Sequence, residues 1–204
     1  MNTMATSGFG NGALDSLAIA TDHGRTRCVN AENPTGGKGT AATAASALGP
    51  SRKGSPCIQT IKAGDSVTLM DVDGPGVIRH IWMTVTDRTS PTGPNVLRNL
   101  ILEFYWDGEE TPSVQCPIGD FFCCGHAQAC RINSIPIMVV PNRGFNCYFA
   151  MPFEHARIVL RNDHNEDVAG LLLPNRLHGI RRAASRCDAL PCAVAPRTRH
   201  RNCP

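Results

Sequence analysis

The sequence predicts an all-β fold, an antiparallel β-sandwich, and three observations predict it. Glycine and proline are plentiful, 19 and 15 of 204 residues, while aromatic residues make up only 5%. That balance suits short strands and frequent turns better than long helices. Alternating or continuous apolar runs of strand length recur between residues 57 and 170, bounded by turn signals. Helical spacing shows only at Ala13–Ala20, ALDSLAIA. Many strands with almost no helix bury their apolar faces best as two packed sheets.

Residues 1–56 form an N-terminal segment with weak periodicity. Within it Asn30–Ser55, rich in Gly, Ala, Ser, Thr and Pro, reads as a long loop. A loop of that length in a compact domain is usually functional or mobile. Strands dominate residues 57–170. Ser66–Val72 follows the turn signal Ala63-Gly64-Asp65. Gly76–Thr86 is apolar at both parities, with Ile78 and Trp82 on one side and Val77, Ile81, Met83 and Val85 on the other. It reads as one strand buried between two layers. Leu100, Leu102, Phe104 and Trp106 alternate with Ile101, Glu103 and Tyr105, giving a core face and a mixed face. Asp107-Gly108 then signals a hairpin turn. Asn133–Val140 and Ala156–Arg161 are further strands. In the second, Ala156, Ile158 and Leu160 face inward and Arg157 and Arg161 outward.

Residues 171–204 read differently, as an irregular tail with neither strand nor helix period. They hold seven arginines (Arg176, Arg181, Arg182, Arg186, Arg197, Arg199, Arg201) against one acid, Asp188, for 7 − 1 = +6. The remaining residues carry 20 − 7 = 13 basic and 17 − 1 = 16 acidic side chains, or −3, so the total of +3 belongs to the tail. No aromatic residue sits among those arginines and no amphipathic pattern arranges them, which argues against a nucleic-acid partner. No apolar run approaches the roughly 18 residues of a membrane-spanning helix, so no membrane partner is expected. The first residues lack a basic start and an apolar stretch, so no secretory signal is read. The ten cysteines are therefore expected to be reduced, mostly buried thiols of a cytoplasmic protein.

Glu109 and Glu110 are adjacent on extended chain and point to opposite faces, so they read as solvated hairpin charges rather than paired catalytic carboxylates. Asp71 and Asp73 share one side of a strand end, but precede Gly74-Pro75-Gly76 and read as turn residues. Cys116, Cys123, Cys124, His126 and Cys130 invite a zinc reading; their spacing is not that of paired CxxC knuckles, and no metal or other cofactor is expected. Gly36-Gly37-Lys38-Gly39-Thr40 resembles a truncated phosphate loop without the full spacing or the strand–loop–helix context. Gly119-Asp120-Phe121-Phe122 leaves two readings level. An acid before two aromatic rings suits a sugar pocket, where rings stack on the sugar and a carboxylate accepts hydroxyl hydrogen bonds. Equally, both rings fill the core and Asp120 caps a turn.

Several longer stretches carry a resemblance. NAENPTGGKG (Asn30–Gly39), KGSPCI (Lys53–Ile58), GPGVIRHIWMT (Gly74–Thr84), YWDGEETPSVQCPIGDFF (Tyr105–Phe122), NSIPIMV (Asn133–Val139) and GFNCYFAMPFEHARI (Gly144–Ile158) stand in the order found in glycoside hydrolase family 172. From about Leu17 to Gly170 the chain resembles that family, earlier known as domain of unknown function family 2961. The resemblance implies a jelly-roll sandwich assembled as a homo-trimer or hexamer. It also implies retaining, metal-independent chemistry on α-linked furanosides by two glutamates: α-D-fructofuranosidase, difructose-dianhydride or α-D-arabinofuranosidase activity. It points to Asp120, Phe121 and Phe122, with the loop from Glu32 through Gly36 and Gly37, as the substrate cleft or a subunit contact. The implied glutamates belong to segments like WWGEGE and GTGTEDYF, which this sequence lacks. No catalytic residue is assigned, and the chain is expected to be an inactive N-terminal fragment, its sandwich incomplete at the C-terminus. The alternative is a non-catalytic carbohydrate-binding or assembly module.

The departure at the C-terminus has a specific form. Family members continue with words like YYQIDYT and FHAQWRRE. Codons permitted for Leu172–His178, read one nucleotide later, spell the first; those for Leu190–Arg197, in the same shift, spell the second. The expectation is a frameshift near Gly170.

Overall fold

The computed structural model describes residues 26–31, 33–40, 58–85, 95–140 and 144–178, with backbone alone for residue 59 and residues 169–178. The expected helix at Ala13–Ala20 and most of the arginine-rich tail lie outside these residues.

The chain forms β1 (Cys28–Val29), β2 (Ile58–Ile61), β3 (Ser66–Ile78) and β4 (His80–Val85), then a single helical turn, α1 (Val96–Asn99). β5 (Leu100–Trp106) and β6 (Val114–Pro117) follow, then a second turn, α2 (Ile118–Phe121). β7 (Ile132–Asn133), β8 (Ile137–Val139), β9 (Gly144–Cys147), β10 (Met151–Asn162) and β11 (Val168–His178) complete it. All pairings are antiparallel. One sheet has the order β1-β11-β4-β9-β8-β7, with β2 also paired to β11; the other is β3-β10-β5-β6. The two sheets share one core: Leu69, Ile81, Met83, Leu102, Phe104 and Ile158, from both, line a single small apolar space. This is the antiparallel β-sandwich that the sequence predicts.

The expected single strand over Gly76–Thr86 is in fact two. β3 ends at Ile78 in one sheet, Arg79 is exposed, and β4 begins at His80 in the other. A strand crossing a sandwich must invert the face it turns to the core. That inversion explains the apolar residues at both parities: Ile78 packs inward from the first sheet, and Ile81, Met83 and Val85 pack inward from the second. Two one-sided strands in series mimic one two-sided strand.

The turn expected at Gly74-Pro75-Gly76 is likewise absent. These residues continue β3, joined by a cis Gly74–Pro75 bond, opposite a register shift between Phe153 and His155 of β10. A side chain at Gly74 would meet the carbonyl oxygens of Glu154 at 2.6 Å and Phe153 at 2.8 Å. Glycine stands there because the irregular partner strand comes too close for a Cβ.

A third correction concerns residues 171–178. The sequence suggests an irregular tail from residue 171 and a sandwich that loses a central partner there. The backbone instead runs as strand to His178, between β4 and β1. A ladder is made by amides, not side chains, so a segment without side-chain periodicity can still pair. The pairing with β4 skips between Leu173 and Arg176, where Pro174 has no N–H to give.

The hairpin at Asp107-Gly108 is as predicted. β5 pairs with β6, Phe104 opposite Val114, and both turn residues take left-handed backbone, φ 51° and 84°. In β10, Ala156, Ile158 and Leu160 are buried as expected. At its end Asn162, fully buried, donates from Nδ2 to the carbonyls of Ile61, Lys62 and Glu166 at 3.1, 3.2 and 2.9 Å. Its Oδ1 accepts the His164 N–H at 3.1 Å. One side chain thus joins the end of β2 to the turn between β10 and β11.

Candidate functional site

The loop expected to lie near a cleft is a locked turn over its described part. Asn33, buried, accepts the Gly37 N–H on Oδ1 at 2.8 Å and donates from Nδ2 to the Gly37 carbonyl at 3.0 Å. Gly36 takes φ 65°, and its carbonyl accepts Arg27 Nη1 at 2.8 Å. The Pro34 carbonyl accepts the Asp71 N–H at 2.7 Å, which anchors the loop on β3. Asn30 and Asn33, not the glycines alone, hold this shape; an Asn pair three residues apart, able to hydrogen-bond main chain, is the signal in the sequence. Glu32 and residues 41–57 lie outside the described residues.

The segment Gly119-Asp120-Phe121-Phe122 is split by α2. Phe122 is fully buried and packs on Phe145 of β9, ring centroids 5.3 Å apart. It therefore offers no face to a ligand; the core reading applies to it. Phe121 is half-buried, edge-on to Phe122 at 4.9 Å and to Phe104 at 5.2 Å. Phe104 in turn meets Trp106 at 5.8 Å. A row of rings thus crosses the sandwich from β5 to β9. Asp120 does not cap the turn with its side chain and is not among the residues that line the hollow beside Phe121. Its carboxylate receives Arg98 Nη1 of α1 at 2.5 and 2.6 Å. Gly119 lets α1 approach, since a Cβ there would lie 2.9 Å from the carbonyls of Leu97 and Cys124.

Phe121 does line a cleft. An open hollow of about 430 Å³ is bounded by Phe104, Trp106, Asp107, Val114, Phe121, Met151 and Pro152. Its walls are aromatic and apolar, the surface on which the C–H faces of a sugar ring pack. Its one acid, Asp107, is committed elsewhere: Oδ1 accepts the N–H groups of Glu154 and His155 at 2.7 and 2.9 Å. Gly36 and Gly37 do not line this hollow.

The sequence missed a polar network on the outer face of β5 and β10. Glu103, 6% exposed, accepts hydrogen bonds from Gln115 Nε2 at 2.9 Å, Tyr105 Oη at 2.9 Å and Arg161 Nε at 3.1 Å. Burial pushes its carboxyl pKa up, but the three donors and the Arg161 charge outweigh burial and hold it below the ordinary value. Burial, then the hydrogen bond to Glu103, raises the Tyr105 phenol. Arg157 lies over the Tyr105 ring at 3.8 Å, and His155 Nε2 is 2.9 Å from Asp71 Oδ1. Acids and bases alternating across neighbouring strands on one face are the only trace of this in the sequence. Glu109 and Glu110 are exposed, as expected of hairpin charges. Among the described residues, no three His, Cys, Asp or Glu side chains converge as a metal site needs.

Residues 55–171 match the model of the GH172 domain-like family. The chain belongs to that family. The match covers the interval from just before β2 to the start of β11, and so includes the cleft, α2 and the Glu103 network. It makes this a glycoside-hydrolase-related domain. No curated protein matches the chain significantly. Among the described residues, no helix is long and apolar enough to cross a membrane.

Proposed function

We propose that this chain is the N-terminal sandwich of a retaining hydrolase of α-linked furanosides, with fructose or arabinose as the sugar, and that as written it binds without cleaving. The single observation that carries the reading is family membership across the aromatic cleft. Retention needs an acid/base and a nucleophile about 5 Å apart across the anomeric carbon. The cleft's own acid, Asp107, spends one oxygen on two main-chain amides. Proton transfer and nucleophilic attack are left to carboxylates outside these 204 residues, and the cleft contributes an apolar platform that orients the ring. A chromogenic α-D-arabinofuranoside tests this beside a calorimetric titration of the same sugar. The expected result is saturable binding, weakened several-fold by Phe121→Leu, with no release of chromophore. Turnover by the purified chain overturns it.

A second reading, an assembly module, is favoured by one feature. Ile135, Tyr148 and Phe149 are 77%, 44% and 53% exposed. Tyr148 stacks flat on His80 at 4.5 Å, and its N–H is bonded to the carbonyl of Pro136, next to Ile135. Apolar groups gathered at one rim are a common mark of a contact surface. A trimeric or hexameric mass in light scattering, reduced by Phe149→Ser, supports this reading; a monomer at every concentration excludes it.

A further inference from the structure

The loop after α2 holds two thiols in contact. Cys124 Sγ lies 3.6 Å from Cys130 Sγ and 4.0 Å from the Cys130 carbonyl oxygen. The partners differ in access: Cys124 is 1% exposed, and Cys130 is exposed. Cys124 is held at both ends, its N–H on the Gly119 carbonyl at 2.7 Å and its carbonyl receiving Ala127 N–H at 3.1 Å. The chain reverses through left-handed backbone at Cys123 and Ala127, φ 63° and 62°. That reversal returns Cys130 over Cys124. A disulfide is about 2.05 Å long, so bonding needs the sulfurs to close by roughly 1.5 Å, within the reach of side-chain rotation at the exposed end.

We propose that Cys124 and Cys130 form a reversible oxidation site, a dithiol that low-molecular-weight disulfides convert to an intraloop disulfide. The Cys130 thiolate attacks one sulfur of glutathione disulfide, the S–S bond breaks, and one glutathione thiolate leaves. Cys124 gives its proton to water, and its sulfur attacks the Cys130 sulfur of the mixed disulfide, expelling the second glutathione. Two protein thiols are oxidised and one glutathione disulfide is reduced to two glutathione molecules. The order of attack follows from access: of the pair, only Cys130 meets the reagent, and Cys124 needs only its neighbour. Burial pushes the Cys124 thiol up, so little of it is thiolate and the second, intramolecular step is the slower one. Cys123 is also exposed, and is the competing partner.

The test uses the full chain, incubated with glutathione disulfide, blocked with an alkylating reagent and mapped by mass spectrometry without reduction. The expected product has one bridge, Cys124 to Cys130, with two of the ten thiols protected from alkylation and restored by dithiothreitol. Cys123→Ser keeps the bridge; Cys130→Ser, at an exposed position that does not threaten folding, abolishes it. Oxidation raises the melting temperature of the wild type and leaves that of Cys130→Ser unchanged. A bridge through Cys123, a stable glutathione adduct on Cys130 with Cys124 still alkylated, or no protected pair overturns the proposal.

Discussion

Asp107 Oδ1 lies 2.9 Å from the backbone nitrogen of His155, and the Asp107 N–H donates to the His155 carbonyl at 2.8 Å. The hairpin turn of β5 thereby clamps β10 where its pairing with β3 skips a residue. The turn needs left-handed backbone at Asp107, φ 51°, which Asp and Asn tolerate and Ala resists. Asp107→Ala removes the acceptor for two amides and adds backbone strain, and should cost about 2 kcal/mol. Asp107→Asn keeps a side-chain oxygen and the backbone preference, and should cost under about 1 kcal/mol. Urea midpoints of the two variants check this; equal losses would remove the clamp from the account.

Gly74 faces the same irregularity from the other side. Gly74→Ala must push a Cβ against two main-chain carbonyls, at 2.6 and 2.8 Å. Neither can swing aside as a side-chain tip would. The expected loss is about 1–3 kcal/mol, in the range of an overpacked core. Gly108→Ala provides the contrast, since its Cβ would meet nothing within 4 Å, and only its φ of 84° opposes it, at about 1 kcal/mol.

Asn162 tests whether the sandwich end depends on one amide. Asn162→Ala leaves the carbonyls of Ile61, Lys62 and Glu166 without this donor and opens a polar void. The cost should be about 2–4 kcal/mol. Asn162→Asp should cost more, because a carboxylate there faces three carbonyl oxygens in a buried place. Thermal unfolding monitored by circular dichroism ranks the pair; an aspartate variant as stable as wild type contradicts the geometry.

The sandwich was legible because burial imposes parity: Leu102, Phe104, Ile158 and Leu160 alternate, and alternation survives in the letters. The crossing at Arg79 was not, since two strands in series with opposite parity look like one strand buried on both sides. Strand β11 was not, because its ladder is written in amides. Of the two rings, Phe121 lines the hollow and Phe122 lies in the core, for adjacent rings at the end of a helical turn must diverge and the sequence does not say which turns inward. The Asp120 partner, Arg98, is remote in sequence. Glu103 was passed over because a lone acid on an outward face ordinarily meets water; here Gln115, Tyr105 and Arg161 replace it.

Glu103 gives the fold a dependence on pH. Its folded pKa is below the ordinary carboxyl value, so the unfolded chain takes up a proton first as pH falls. Its contribution is therefore fully present above the unfolded carboxyl pKa of about 4.3, and is lost as pH falls through the lower, folded value. Glu103→Gln keeps the shape but not the charge. It should lower stability near neutrality by about 1–3 kcal/mol, as expected for hydrogen bonds to a charged group. The gap to wild type should narrow below the carboxyl range. Urea titrations across the acid range measure this directly, and a constant gap would mean that the charge does not matter.

Pro174 sits where the ladder between β11 and β4 skips, between Leu173 and Arg176. The frameshift reading makes a specific statement about this position. Shifted by one nucleotide, the permitted codons place glutamine there, within the word YYQIDYT, and glutamine carries the N–H that proline lacks. The genomic DNA across codons 165–204 is expected to spell YYQIDYT and FHAQWRRE in one alternative frame. A chain rebuilt in that frame should pair β11 with β4 without the skip and gain about 1–2 kcal/mol from the added ladder bonds. Amide hydrogen exchange at β4, compared between the two chains, reads the repair where it occurs. If the alternative frame encodes neither word, the tail is this protein's own, and the strand it forms with Pro174 is the native one.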